Sequence, residues 1–336
     1  MAGGLMANAF PQVARKAPRG ASVILHLVGR RTASALLTLL LVSIVVFTIS
    51  GLLPGDAAQE TLGQSATPAQ IAALRHEMGL DRPAPVRYVQ WLGGMLRVDP
   101  GQSLVANMPV RDIIAERLPN SLMLAGFTAM IAVPLALAMG IAAAVHRGGK
   151  VDRVLSLATL SMVAVPEFLV ATLGVLVFSV KLLWLPSIAL VSDEASLIDT
   201  IRSCALPVIT LTFVVVAQMA RMTRAAMIDQ LDAGYVEMAQ LKGVPFGRIV
   251  LWHVMPNAIG PIVNAAALSL SYLLGGAIIV ETIFNFPGLA SLMVNAVTSR
   301  DMPLLQSCAM IFCAAYLLLV LIADVVAILS NPRQRA

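Results

Sequence analysis

Long apolar runs separated by short basic turns set the pattern of this chain. Six segments nearly free of charge follow one another: Thr32–Leu53, Ser121–Val145, Val154–Val180, Ser203–Ala220, Val254–Val280 and Met302–Ala323. None alternates apolar and polar residues with period two, so each predicts a helix and not a barrel strand. With a rise of about 1.5 Å per residue, the shortest run reaches about 27 Å and the longest about 40 Å. A hydrocarbon core is about 30 Å thick, so the long runs are expected to tilt or protrude. The pattern predicts an all-α polytopic membrane protein with six spans.

Composition agrees. Of 336 residues, 58% are hydrophobic and 12% charged, and the mean hydropathy is +0.85. A soluble domain carries about 25% charged residues, so a water-soluble globule, a disordered chain and a coiled coil are all excluded. Net charge is +5, which here reports basic loops that fix topology and not nucleic-acid binding. Arg15, Lys16, Arg19, Arg30 and Arg31 precede the first span. Arg147, Lys150 and Arg153 lie between spans two and three, and Arg221, Arg224, Lys242 and Arg248 between four and five. With Arg333 and Arg335, these are fourteen of the 23 basic residues. The positive-inside rule therefore places residues 1–31 and the tail 331–336 in the cytoplasm. Cys204, Cys308 and Cys313 sit in or beside apolar runs without metal or redox spacing and read as small buried residues. The first apolar run is too long for a signal-peptide core, so it reads as an uncleaved span.

Residues 54–120 form the one sizeable polar insertion, expected outside the membrane as a small loop subdomain. Thr67-Pro68-Ala69-Gln70 reads as a capping box with proline at the first helical position. The helix it opens should reach Met78 and stop at Gly79. A second helix is expected over Val86–Leu96, with Val86, Val89 and Leu96 on one face and Tyr88 and Trp91 at headgroup level. It either lies on the membrane surface or packs on the outer ends of the spans.

No catalytic constellation is present. The four histidines, His26, His76, His146 and His253, have no metal spacing. Gly148-Gly149-Lys150 is followed by Val151 and lacks the upstream glycine of a phosphate loop. No catalytic residue, metal site or cofactor is expected in this chain. Pro134, Pro166, Pro207 and Pro261 fall in or beside spans, where a static kink is the default reading. Glu167, next to Pro166, is the one carboxylate expected in the middle of a span. It either lines a pathway or hydrogen-bonds to a neighbouring helix or subunit.

Residues 221–253 carry the strongest signal. Tyr235 to Lys242 should form a short helix ended by Gly243. Val244-Pro245-Phe246 then turns the chain into a second helical stretch reaching Pro256 and Asn257. Such a hairpin is too polar to insert and too short to be a domain, and it reads as a docking knob.

These residues resemble the EAA motif of ABC-importer permeases: Glu237, Ala239, Gly243 and Pro256 match it, with Met238 in place of its middle alanine and His253 and Met255 before the proline. Leu53-Pro54-Gly55-Asp56, Gly79-Leu80-Asp81, Tyr88-Val89-Gln90-Trp91-Leu92, Val280-Glu281-Thr282-Ile283-Phe284, Phe286-Pro287-Gly288 and Ser299-Arg300-Asp301 with Pro303 are similar to the B-type permease of dipeptide and oligopeptide importers. The resemblance covers roughly residues 25–331. It implies the type I importer fold in a bacterial inner membrane, with half a translocation pathway per chain. It also implies a second, homologous permease, two ABC ATPases that use ATP and Mg, and an extracytoplasmic substrate-binding protein. By the same resemblance Tyr235, Glu237, Ala239, Gly243, Pro256 and Asn257 couple to an ATPase, and Arg300 and Asp301 face the binding protein. Pro166 and Glu167 are weaker pathway candidates. The competing expectation is an ion-coupled carrier or channel built on Glu167.

Overall fold

The computed structural model describes residues 20–52, 58, 62, 66–77, 79–189 and 196–330. Regular structure among them is helical, apart from one isolated bridge between Gln102 and Pro109. The helices are α1 (Gly20–Leu52), α2 (Pro68–Glu77), α3 (Ala84–Leu96), α4 (Val110–Val145), α5 (Lys150–Ala164), α6 (Glu167–Gly174), α7 (Leu197–Leu231), α8 (Gly234–Leu241), α9 (Phe246–Ile249), α10 (Met255–Ile283), α11 (Leu289–Thr298) and α12 (Met302–Ser330). Among the described residues, five uninterrupted helical stretches are long and apolar enough to cross a membrane, and the bent pair α5–α6, taken as one broken span, makes six.

Several expected boundaries move. Residues 20–31, expected as part of a basic N-terminal segment, already belong to α1. The expected limit of the polar insertion at residue 120 falls inside α4, which starts at Val110 and runs through both Pro119 and Pro134. Span four begins at Leu197, where the Ser196 hydroxyl accepts from Asp199 N at 3.2 Å, and continues to Leu231. Polar residues at helix ends hid these extra turns from a reading based on apolar runs.

The expected single span Val154–Val180 is two helices meeting at 93°. Pro166 has no N–H and pushes the preceding residue out of the helical region. Val165 is extended accordingly (φ −88°, ψ 123°). After α6 the chain continues as a wider turn with i→i+5 bonding, Val175–Lys181. Pro134, Pro207 and Pro261 stay inside continuous helices.

Helix α7 is the central element, packed by α4, α5, α6 and α10. Its Leu206, Leu211, Val215 and Met219 are buried with Leu124, Ala132 and Ala136 of α4 and Leu273 and Val280 of α10. At Gly140 the α4 and α7 backbones come so close that a Cβ would stand 2.6 Å from Ala220 O and 2.7 Å from Thr223 Cβ. The outer members are α1 and α12, which pack on each other. Two polar contacts register that pair: Arg31 to Asp324 at 3.2 Å and Gln306 Nε2 to Ser50 Oγ at 2.5 Å. Leu36, Leu40, Ile44 and Ile49 of α1 are exposed, as expected of a lipid-facing surface. Cys204 and Cys308 are buried and Cys313 is half-buried, all as free thiols.

We call the bundle end with Arg31, the α4–α5 turn, α8 and Asp324 proximal, and the opposite end distal. The distal end is built as the capping box anticipated: Thr67 N donates to Gln70 Oε1 at 2.9 Å and Gln70 N to Thr67 Oγ1 at 3.4 Å. Gly79 adopts φ +66° after α2; Met78, like Leu53-Pro54-Gly55-Asp56 and residues 331–336, lies outside the described residues. Helix α3 packs on α1 through its aromatic residues. Phe47 meets Tyr88 edge-on at 5.3 Å and Trp91 at 6.0 Å, and Tyr88 Oη lies 2.8 Å from Ser43 Oγ. The other face, with Val86, Val89 and Leu96, stays exposed.

Candidate functional site: the proximal hairpin and the broken third span

The hairpin starts where Asp232 ends α7. Arg147 from the α4–α5 turn donates to both Asp232 carboxylate oxygens, at 2.9 and 2.7 Å. Ala233 turns the chain in extended geometry and α8 follows. Its stop is a Schellman motif: Gly243 N donates to Gln240 O at 2.9 Å and Val244 N to Ala239 O at 3.1 Å. Gly243 sits at φ +76°, the left-handed conformation that this motif demands.

Packing holds this helix rigidly. Val236 is 1% exposed and joins Ala144 of α4, Met227 of α7, Ile249 of α9 and Val254 in one buried cluster, with Ala239 and Val244 packed against it. The other side of α8 is free of the bundle. Glu237 and Gly243 are exposed, and so are Met238 and Leu241 of α8 and Phe246 at the start of α9, three large apolar side chains. Tyr235 donates to Gln230 Oε1 at 3.1 Å. The second arm is the expected helical stretch, and it is continuous with span five: α9, the wide turn Val250–Val254 and α10 run on from Phe246 to Ile283. Pro256 and Asn257 are exposed on its first turns, and Asn257 Nδ2 donates to His253 O at 2.7 Å. The hairpin is thus packed against α7 of span four and continuous with α10 of span five.

Behind the hairpin, α5 is tied to α7. Arg224 forks onto Asp152, with Nε to Oδ1 at 2.7 Å and NH2 to Oδ2 at 2.9 Å. Gly148 N and Ser156 Oγ also donate to this carboxylate, at 2.9 and 3.1 Å. Sequence reading missed this pair; its signal was an aspartate in the first turn of a helix beside a basic loop.

At the elbow, Glu167 is 7% exposed, and neither carboxyl oxygen has a hydrogen-bond partner among the described residues. Of the two readings of this residue, the bond to a neighbouring helix of its own chain is absent among the described residues. Pro166 and Glu167 line a cavity of about 920 Å³ together with Thr159, Gln218, Arg221 and Tyr272.

The distal end holds a buried carboxylate that apolar-run counting overlooked. Glu281 is 0% exposed; Ser121 Oγ donates to it at 2.7 Å and Ser291 N at 2.8 Å. Ser121 Oγ in turn accepts from Leu289 N at 2.7 Å, and Asn120 Nδ2 donates to Pro287 O at 2.9 Å. The start of α11 is thereby fastened to α4. Asp301, expected on a surface facing the binding protein, is instead 1% exposed. Ser103 Oγ donates to it, as do Leu104 N at 3.3 Å and Leu304 N at 3.4 Å. An acid at a helix start satisfies orphan N–H groups, and here it also anchors the loop 97–109. Arg300 beside it is half-buried in left-handed geometry (φ +58°). Among the described residues no group of His, Cys, Asp and Glu has metal-holding geometry.

The chain matches two family models. Residues 136–336 match the binding-protein-dependent transport system inner membrane component, and residues 24–125 match the N-terminal region of the same kind of membrane component. A protein of Brucella abortus (strain 2308), named a peptide transport system permease, is 36% identical over 310 residues, covering 92% of this chain and 98% of its own. A peptide ABC transporter permease of Sinorhizobium fredii is 32% identical over 91% of this chain and 98% of its own. The glutathione transport system permease of Pectobacterium atrosepticum is 37% identical over 91% and 97%. These matches displace the ion-coupled carrier as an alternative. The chain belongs to the family of inner-membrane permease components of binding-protein-dependent ABC importers.

Proposed function

We propose that this permease passes peptides across the bacterial inner membrane as one half of a pathway completed by a second, homologous permease. Relatives named for peptide and glutathione transport, matched over nearly their whole length, support the solute class. In this reading the proximal end faces the cytoplasm, as the bias of basic residues requires, and both termini lie there. Two ATPase subunits bind below and use ATP and Mg; this chain contributes no catalytic residue and no cofactor of its own. A substrate-binding protein docks at the distal end, where Arg300 is the remaining contact candidate and Asp301 supports it from behind.

The observation that carries the coupling role is the split of α8 into two faces. Val236 and Ala239 lock it to the bundle, while Met238 and Leu241, with Phe246 of α9, stay uncovered on the hairpin that carries Glu237. An apolar patch rimmed by charge at the end of a rigid element marks a protein contact. Tyr235, Glu237, Gly243, Pro256 and Asn257 form or border that surface, and Pro166 and Glu167 line the pathway. Coupling works as a lever, rocking α7 and α10 as the ATPases close.

The test is uptake of a labelled dipeptide by vesicles holding the complete importer. Gly243→Val and Glu237→Lys should abolish uptake and loosen ATPase copurification while membrane insertion stays normal. Wild-type uptake by both variants would overturn the coupling assignment, and failure of the unaltered importer to accumulate any peptide would overturn the solute class.

A further inference from the structure

The cavity at the α5–α6 elbow has more character than a gap between helices. Its volume, about 920 Å³, lies at the upper end of the range of about 300–1,000 Å³ usual for small-ligand sites. Along α7 its lining runs from Val214 to Ala225, which at about 1.5 Å per residue is about 16 Å. Extended peptide needs about 3.4 Å per residue, so two to four residues fit lengthwise.

The lining carries groups of both signs. One part of the wall is the break itself: Met162, Val163, Val165, Pro166 and Glu167 all line the cavity. Helix α5 ends here at Ala164, and no further helical N–H follows to meet the carbonyls of its last turn. They add the negative end of a helix dipole to a carboxyl group that is more than nine-tenths buried and unpartnered. Irregular backbone at membrane depth is tolerated where it lines a cavity, and broken spans are where transporters place solute groups. Elsewhere in the lining stands Arg221, for which no ion pair occurs among the described residues, whereas Arg224 one turn on is taken by Asp152.

We propose that this cavity is a peptide subsite, in which Glu167 and the open carbonyl end of α5 take the free α-ammonium group and Arg221 takes the α-carboxylate. A zwitterion supplies both missing partners at once, which neither a neutral sugar nor a bare metal cation does. The subsite rests on the peptide reading above and extends it to named groups of the pathway.

Two measurements on the complete importer test it, both with dialanine. Glu167→Gln and Arg221→Gln should each lower ATP-driven uptake at least tenfold, with the second permease and the ATPases still copurifying at the unaltered level, and Glu167→Asp should restore part of the loss. In a background whose three native cysteines are replaced, dialanine should slow thiol labelling of Met162→Cys at least fivefold, and adding Glu167→Gln should remove that protection. Unchanged uptake, or equal protection with and without the Glu167 carboxylate, overturns the subsite while leaving the peptide importer standing. Loss of the second permease from Glu167→Gln preparations also overturns it, because it assigns the carboxylate to a subunit contact. No dialanine uptake by the unaltered importer overturns both readings together.

Discussion

The carboxyl group of Glu281 fills the space in which a side chain at residue 288 would stand. A Cβ built on Gly288 overlaps both Glu281 oxygens and their carbon. The glycine is thus required by close approach and not by backbone angle, since its φ of −108° suits any residue. Gly288→Ala should displace the carboxylate from Ser121 and from Ser291 N and loosen α11 from α4. Removing the obstacle with Glu281→Ala in the same chain should recover part of the loss. Thermal unfolding of the four proteins of this double-mutant cycle checks it, with a coupling of about 1–2 kcal/mol expected for groups in contact. Strictly additive effects would show that the two residues do not meet.

Asp152 and Arg224 predict a second outcome. Their forked pair ties α5 to α7 at the proximal end, with the Arg224 side chain 33% and the Asp152 side chain 8% exposed. Breaking a buried pair costs about 3–5 kcal/mol, and partial solvation of the arginine lowers this to about 2 kcal/mol. Asp152→Asn should destabilise the protein by that amount and speed thiol labelling of a cysteine placed at Ser156. The swapped pair Asp152→Arg with Arg224→Asp should be more stable than either single replacement. A swap worse than both would mean that the bonds from Gly148 and Ser156, and not the arginine, hold the aspartate.

The six apolar runs made the spans legible because membrane insertion leaves the same mark on every one of them. Their ends were not legible. Arg202 and Arg221 both lie within the helix Leu197–Leu231, so a rule that ends a span at the first charge shortens it by about two turns at one end and about three at the other. Pro166 shows the limit from the other side. Four prolines looked alike in the sequence, yet Pro134, Pro207 and Pro261 sit in unbroken helices and only Pro166 accompanies a 93° turn. Whether a proline kinks or breaks a helix depends on which neighbours accept the freed carbonyls, and that is tertiary information.

Gly140 and Gly126 make that point testable on one helix. Both are in α4, but a Cβ at 140 runs into Ala220 O and Thr223, whereas at 126 it meets nothing within 4 Å. Gly140→Ala should separate α4 from α7 and destabilise by about 1–3 kcal/mol, the usual range for overpacking. Gly126→Ala should be neutral or gain up to about 1 kcal/mol from helix propensity. Unfolding in detergent compares the two, and equal effects would contradict the packing of α4 on α7.

Of the candidate site, the α8 helix with its Gly243 stop was readable because a Schellman ending is local: it needs a left-handed residue at a fixed place after the helix. The role of Asp301 was not, because its partners Ser103 and Leu104 come from some 200 residues away.

Gly243 gives the sharpest separation between backbone and surface in the coupling hairpin. No heavy atom lies within 4 Å of a Cβ built there, so size is not excluded; only the φ of +76° is demanding. Asparagine tolerates this region, whereas a β-branched residue does not. Gly243→Asn should therefore keep most of the ATPase copurification and peptide uptake, and Gly243→Val should lose both by unwinding the last turn of α8. Leu241→Asp acts differently, since its side chain is exposed and its backbone ordinary. That variant should fold and insert normally, with an unfolding midpoint within about 0.5 kcal/mol of the parent, yet fail to retain the ATPases. If Leu241→Asp retains them while Gly243→Val loses them, the exposed face of α8 is not the contact and the hairpin matters for its shape alone.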